Sequence, residues 1–398
     1  MSTTFPSPQL TEWALVGSPI AKLVEQMGLS NRYRHAYAEA VGVILLGLLA
    51  TFVTARDVVG VKGLCLSRAA SSFLTPQRYR TNRIGQQVWT RSIDLLERMS
   101  FVQKLFSGFK GSGYFSGLTS AYVPTQRLEY WFAEHSSMLS LVRLSKSEPL
   151  LLTSSNRLID YRDDEHTNAL RRQIEDINRV NQSYQFTLQR GDCVETLDSR
   201  LLVGKRRFRD DFHSGGRLFL PLQGIRKSDR QHLAIDGENT IELDFSSHAP
   251  RMLFHLNGHE APEDCYAHHS IPRELMKETM LRVTNCDTQS TALRSLSKLL
   301  REKGIKNTSS RELLEAVEQT NPHAVNGMKP GRWKEIQFNE SKITCNIAHQ
   351  LHRNGIPCLP IHDSFVVRNK DRDILRQVMY DEYQREFPGF VPVVKEAV

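Results

Sequence analysis

The sequence lacks a long apolar run, paired cysteines, internal repeats, low-complexity tracts and an excess of acid, and each absence removes a class of function. The longest apolar stretch, AVGVILLGLLATFV at residues 40–53, is shorter than the roughly 20 residues needed to cross a bilayer. It reads as a buried core helix, lying too far along the chain for a secretory leader. The six cysteines form no C-x-x-C pair, which argues against a zinc module or disulfide scaffold and fits reduced thiols in a cytoplasmic protein. Basic residues outnumber acidic ones, 52 to 44, for a formal charge of +8. That balance suits a polyanionic partner such as nucleic acid.

What is present supports a large core. The chain has 398 residues, 40% of them hydrophobic, and its length predicts two or three domains. We divide it into a helical N-terminal region (1–140), a connecting, thumb-like helical segment (141–200) and a catalytic region (201–398).

In the first region, IGQQVWTRSIDLLERMSFV places Val88, Ile93, Leu95, Leu96 and Met99 near one helical face. FKGSGYFSGLTSAYVP follows, rich in glycine and aromatics, and predicts a hairpin. Helix plus hairpin resembles a winged helix. Arg78, Arg80, Arg83, Arg91, Lys104 and Lys110 would supply phosphate contacts, or would simply form a solvated basic face. Residues 164–182 predict a long polar helix, charged on most faces, that projects or bridges or lies along a duplex.

Beyond 200 the sequence carries chemistry. TIELDFSSHAPRMLFHLNG (240–258) predicts a strand ending at Asp244, then a helix near Pro250 that Ser246 or Ser247 could cap. CLPIHDSFVV (358–367) predicts a hairpin with Asp363 at its turn, flanked by His362 and Ser364. A buried carboxylate is costly unless paired or bound to a metal. Between these two lies IPRELMKETMLRVTN (271–285), a helix whose Arg273 and Lys277 share one face. Two cations side by side call for an anion, and a triphosphate would satisfy both.

The order strand-Asp, R-x-x-x-K helix and hairpin His-Asp-Ser resembles the three motifs of the superfamily of family A DNA polymerases and bacteriophage-type single-subunit RNA polymerases. The resemblance covers about residues 200–390. It implies an α+β right-hand polymerase fold, with an antiparallel palm sheet and helical fingers, and a template-directed nucleotidyltransferase. It further implies two Mg2+ ions, for which Mn2+ could substitute, held by Asp244 and Asp363. Lys277 would neutralise the triphosphate and protonate the leaving pyrophosphate, and Arg273 would bind an outer phosphate. His362 would lie near the primer end. Arg217, Arg226, Lys227 and Arg230 would contact template or triphosphate. The expected partners are nucleoside triphosphates and a nucleic-acid template, DNA first, with no membrane.

Two positions in this resemblance bear on the sugar. Five residues after the first aspartate the DNA-making enzymes carry glutamate and the RNA-making ones glycine. Here stands Ala249, small enough to admit a 2′-hydroxyl. Ser364 stands where the DNA enzymes usually have a second glutamate. Both lean toward RNA or primer synthesis. Asn285 departs from the pattern, standing where both families carry tyrosine; it would bind a hydroxyl or cap its helix. The alternatives are a DNA polymerase of the same fold, a nuclease, and a non-catalytic DNA-binding regulator.

Overall fold

The structure, a computed structural model, describes residues 3–4, 13–29, 31–55, 63–108, 119–143, 148–155, 157–198, 202–323 and 332–397. The chain divides into two compact units, Met1–Glu148 with Leu158–Asp160, and Pro149–Arg157 with Tyr161–Val398. Residues 141–200 are therefore shared between them. Most of that segment, including its long helix, belongs to the second unit.

The first unit contains β1 (Thr3–Thr4), β2 (Trp13–Val16), α1 (Ser18–Gln26), α2 (Arg34–Ala55), β3 (Leu64–Cys65), α3 (Gln86–Arg98), β4 (Val102–Phe106), β5 (Ala121–Pro124), α4 (Gln126–His135) and β6 (Ser140–Arg143). The apolar stretch lies in α2, whose Ala40, Val41, Val43, Ile44, Leu45 and Leu48 are fully buried. No described helix is long and apolar enough to cross a membrane. Strand β2 passes close enough to α2 that a Cβ on Gly42 would collide with the Leu15 carbonyl, so this crossing requires glycine. Helix α3 buries Trp89, Ile93, Leu95 and Leu96, with Val88 and Met99 packed at the margin. Antiparallel β4 and β5 follow it, and β5 also pairs with β3. The glycine-rich connection at 109–118, with Lys110, lies outside the described residues.

In the second unit come β7 (Leu150–Ser154) and, where the chain crosses between units, β8 (Arg157–Leu158). Then follow α5 (Glu165–Gln182), β9 (Phe186–Arg190), β10 (Cys193–Thr196), β11 (Lys205–Arg209), β12 (Asp211–Phe219), α6 (Lys227–Arg230), β13 (Leu233–Ile235), β14 (Glu238–Phe245) and α7 (His248–Leu256). The remainder is α8 (Arg273–Thr284), α9 (Gln289–Glu302), α10 (Ser310–Thr320), α11 (Arg332–Arg353), β15 (Leu359–Ile361), β16 (Ser364–Arg368), α12 (Arg372–Glu386) and β17 (Val394–Glu396). The unit is α+β. Its main sheet runs β10-β9-β13-β14-β16-β15, with β17 also on β14, and every pairing in it is antiparallel.

Two local expectations change. Helix α5 forms as predicted, opened by a capping box between Asp164 and Thr167. It does not merely project, because Ile174 and Ile177 are fully buried and it packs against α11. Two apolar residues one turn apart suffice to seat a helix that looks charged all round. Helix α7 begins at His248 without a side-chain cap, and Ser247 sits in the left-handed region (φ 55, ψ 41). The Ser247 hydroxyl instead bonds to Tyr266.

Candidate active site

Strand β14 alternates Thr240, Glu242 and Asp244 on one face with Ile241, Leu243 and Phe245 on the other. The apolar face is core: Leu243, Phe245 and the opposed Phe365 and Val367 are buried. Burial of that face fixes the register, and register fixes Asp244 opposite Ser364.

The turn between β15 and β16 has only two residues, His362 and Asp363, with His362 at a φ of 61. The Phe245 N–H donates to the Asp363 carbonyl at 3.3 Å, and the Ser246 N–H to the Val393 carbonyl at 2.7 Å. Main-chain bonds thus hold the strand end that carries Asp244 against both the turn and the segment entering β17.

The charge of Asp363 reaches Asp244. Asp244 is pushed up to about 7, first by burial, then by the negative charges of Asp363 and Glu242; Lys227 and Lys277 pull it down. Among the described residues neither Asp244 nor Asp363 forms an ion pair or a side-chain hydrogen bond. Among the described residues no protein cation contacts either carboxylate.

No group of three or more His, Cys, Asp or Glu side chains that could hold a metal occurs among the described residues. The two carboxylates offer oxygen donors only, the type hard divalent cations take, and a cation held there would draw its other ligands from water and substrate phosphates.

Glu242 is the neighbour that sequence reasoning missed. Arg230 Nε and Nη2 each donate to its carboxylate at 2.9 Å, and Ser364 Oγ donates to the same group at 2.5 Å. The side chains of Arg230 and Glu242 are each only 12% exposed. Period-two alternation back from Asp244 was the available signal. Arg230 is therefore committed to an ion pair rather than projecting as a free cation.

Helix α8 brings the cationic face. Lys277 is exposed and has no ion pair among the described residues, and its charge reaches Asp244. Arg273 is already engaged: it donates to Asp264 at 2.8 Å and lies 5.3 Å over the Tyr266 ring. Burial raises the Tyr266 hydroxyl to about 12. Ala249 lies in the first turn of α7, half-buried. Asn285 caps α8, its Nδ2 donating to the Leu281 carbonyl at 2.7 Å, so its amide is used as a cap.

Two buried groups flank Asp363. His248 is 4% exposed, stacks on Phe245 at 4.6 Å, and is pushed down to about 4 by burial, against the opposing charge of Asp363. It is neutral at physiological pH. Glu340 of α11 is raised by burial despite a bidentate bond from Arg217 at 2.9 and 3.2 Å. Partial desolvation at the turn also lowers His362, whose carbonyl accepts from Thr344 Oγ1.

The remaining predicted cations are dispersed. Arg226 and Lys227 are exposed where α6 starts. In the first unit Arg78 pairs with Asp160 at 3.0 Å and with Glu148 at 3.6 Å. Arg80 is exposed and donates to the Thr75 carbonyl. Arg83 and Arg91 are exposed, and the Arg83 N–H bonds to Glu39. Lys104 lies 3.9 Å from Glu97.

No protein-family profile matches the chain, and no curated protein matches it. Among solved structures it is similar to the POL domain of Pol1 from M. smegmatis in complex with DNA primer-template and dNTP. Identity is 12% and the TM-score 0.29, over 97% of this chain and 67% of that chain.

Proposed function

We propose that the protein is a template-directed nucleotidyltransferase that joins ribonucleotides, making RNA or a primer on a nucleic-acid template. The observation that carries this reading is the position of Asp244 beside Asp363: one carboxylate at a strand end and one in the adjoining turn, the charge of Asp363 acting on Asp244, with no contacting protein cation among the described residues. Lys277 on a separate helix lies within electrostatic reach.

In this reading Asp244 and Asp363 hold Mg2+. When bound, a two-ion centre activates an attacking hydroxyl and stabilises the leaving oxygen of an in-line displacement. The residues of the chain position and neutralise. Lys277 faces the triphosphate and offers a proton from Nζ to the leaving pyrophosphate. Arg273, oriented by Asp264 and Tyr266, binds an outer phosphate. Glu242, pinned by Arg230, holds the Ser364 hydroxyl and so steadies the residue following Asp363. Positioning and charge stabilisation supply most of the rate in phosphoryl transfer. Ala249 leaves room for a 2′-hydroxyl, and His362 lies beside the product end. Arg217, Arg226 and Lys227 line the approach of the template, and the exposed Arg80, Arg83 and Arg91 of the first unit offer phosphate contacts beside Arg78.

The test is extension with NTPs and dNTPs, primed and unprimed, on single-stranded DNA and RNA. Incorporation that vanishes in both Asp244→Ala and Asp363→Ala, with oligonucleotide binding retained, is the expected result. Wild-type incorporation by both variants would remove the catalytic assignment.

A further inference from the structure

Between α5, β12 and α11 the second unit has a cavity of about 650 Å3. Arg206 forms part of its wall and is 1% exposed. Its Nε donates to the Gly216 carbonyl at 2.7 Å and its Nη2 to Ser341 Oγ at 3.1 Å. Both acceptors are neutral. Among the described residues no carboxylate pairs with Arg206. The Phe208 ring, 4.8 Å from the guanidinium carbon, is its other support.

A buried cation facing only neutral acceptors is costly to maintain. The fold nevertheless makes room for it. Gly216 has a φ of 75, and a Cβ there would lie 2.9 Å from Arg206 Nη2 and 2.6 Å from the Phe208 ring.

The rim adds two further features. Arg172 of α5 is exposed and without an ion pair among the described residues, and Lys342 of α11, paired with Glu386, also lines the cavity. The one carboxylate in the lining, Asp176, is taken up by Arg179 at 3.0 Å and His349 at 3.5 Å. The lining also includes aromatic rings. The rings of His166 and His213 stack at 5.1 Å and 14°, and Phe338 meets His213 edge-on at 5.9 Å. Cations beside ring faces suit a phosphate joined to a base.

We propose that this cavity is a second nucleotide-binding site, taking a phosphate against Arg206 and Arg172 and a base against the His166–His213–Phe338 rings. Its ligand is a nucleoside phosphate, free or as one unit of a single strand. The site does not depend on Asp244 or Asp363.

The test is fluorescence anisotropy with a dye-labelled single-stranded oligonucleotide, with AMP and inorganic phosphate as competitors. The double variant Arg172→Ala/His213→Ala changes two exposed side chains and so leaves the core intact. It is expected to weaken oligonucleotide binding about tenfold and to flatten the salt dependence. Arg206→Met is expected to weaken binding at least as much; if that variant does not fold, the rim variant decides. Competition by AMP in the wild type identifies a free nucleotide as sufficient ligand, whereas oligonucleotide loss without AMP competition identifies a strand. Oligonucleotide binding and AMP competition in the rim variant both within twofold of wild type would overturn the proposal. Asp244→Ala separates this site from the catalytic reading, because it is expected to keep the anisotropy signal while losing incorporation.

Discussion

Asp244 lies directly across the β14–β16 pair from Ser364, the residue that follows Asp363 in a two-residue turn. The strand register that buries Leu243 and Phe365 therefore also sets the spacing of the two acids. One strand register thus sets both the packing of the sheet and the placing of the two acids.

Asp244→Asn and Asp363→Asn should each reduce nucleotide incorporation by on the order of 10²–10³-fold, the scale on which preorganised electrostatic groups act. Because each removes one of two repelling charges, neither should lower the melting temperature in metal-free buffer. Extension assays and calorimetry on the same samples check both halves.

Asp244 also predicts a pH effect of definite sign. Its folded pKa, about 7, lies above the unfolded value of 3.8, so between those values the folded state binds more protons than the unfolded one. The contribution of this group to stability is fully present below about pH 4 and is lost as pH rises through 7. Relative to Asp244→Asn, the metal-free wild type should lose melting temperature across that window. Millimolar Mg2+ should reduce the difference. Parallel pH slopes for the two proteins would show that Asp244 is not raised.

The Arg230–Glu242 pair is nearly enclosed, so removing one partner strands the other. Arg230→Met should cost about 3 kcal/mol of unfolding free energy in urea. Arg230→Met/Glu242→Gln should cost clearly less than the sum of the two single changes.

Ala249→Glu should depress ribonucleotide use selectively, leaving deoxynucleotide incorporation closer to wild type. Single-nucleotide incorporation rates for matched NTP and dNTP pairs give the ratio. An unaltered ratio would show that the first turn of α7 does not face the sugar.

The strands and turns around Asp244 and Asp363 were legible because local rules fix them. Alternation sets the buried face of TIELDF, and an apolar run broken by His-Asp predicts a tight turn. Helix α5 was legible as a long polar run and α8 from the helical spacing of Arg273 and Lys277. Partners chosen across long sequence separations were not. Nothing near Arg217 announces Glu340, and nothing near Arg273 distinguishes a substrate phosphate from Asp264 as its anion. Ser247 resembles a helix cap, yet tertiary contact with Tyr266 takes its hydroxyl. Asn285 was readable two ways, and proximity to Leu281 settled it in favour of the local bond.

The pairing of β14 with β16 has a kinetic consequence. The segment between them includes α7 to α11, and all of it must be synthesised and gathered before Leu243 can meet Phe365. Such non-local closure is slow, because chain entropy is lost before the contact is gained. Refolding from denaturant should therefore recover helical signal well ahead of the sheet. For that interval the chain carries its acids, its cations and most of its helices without a joined centre.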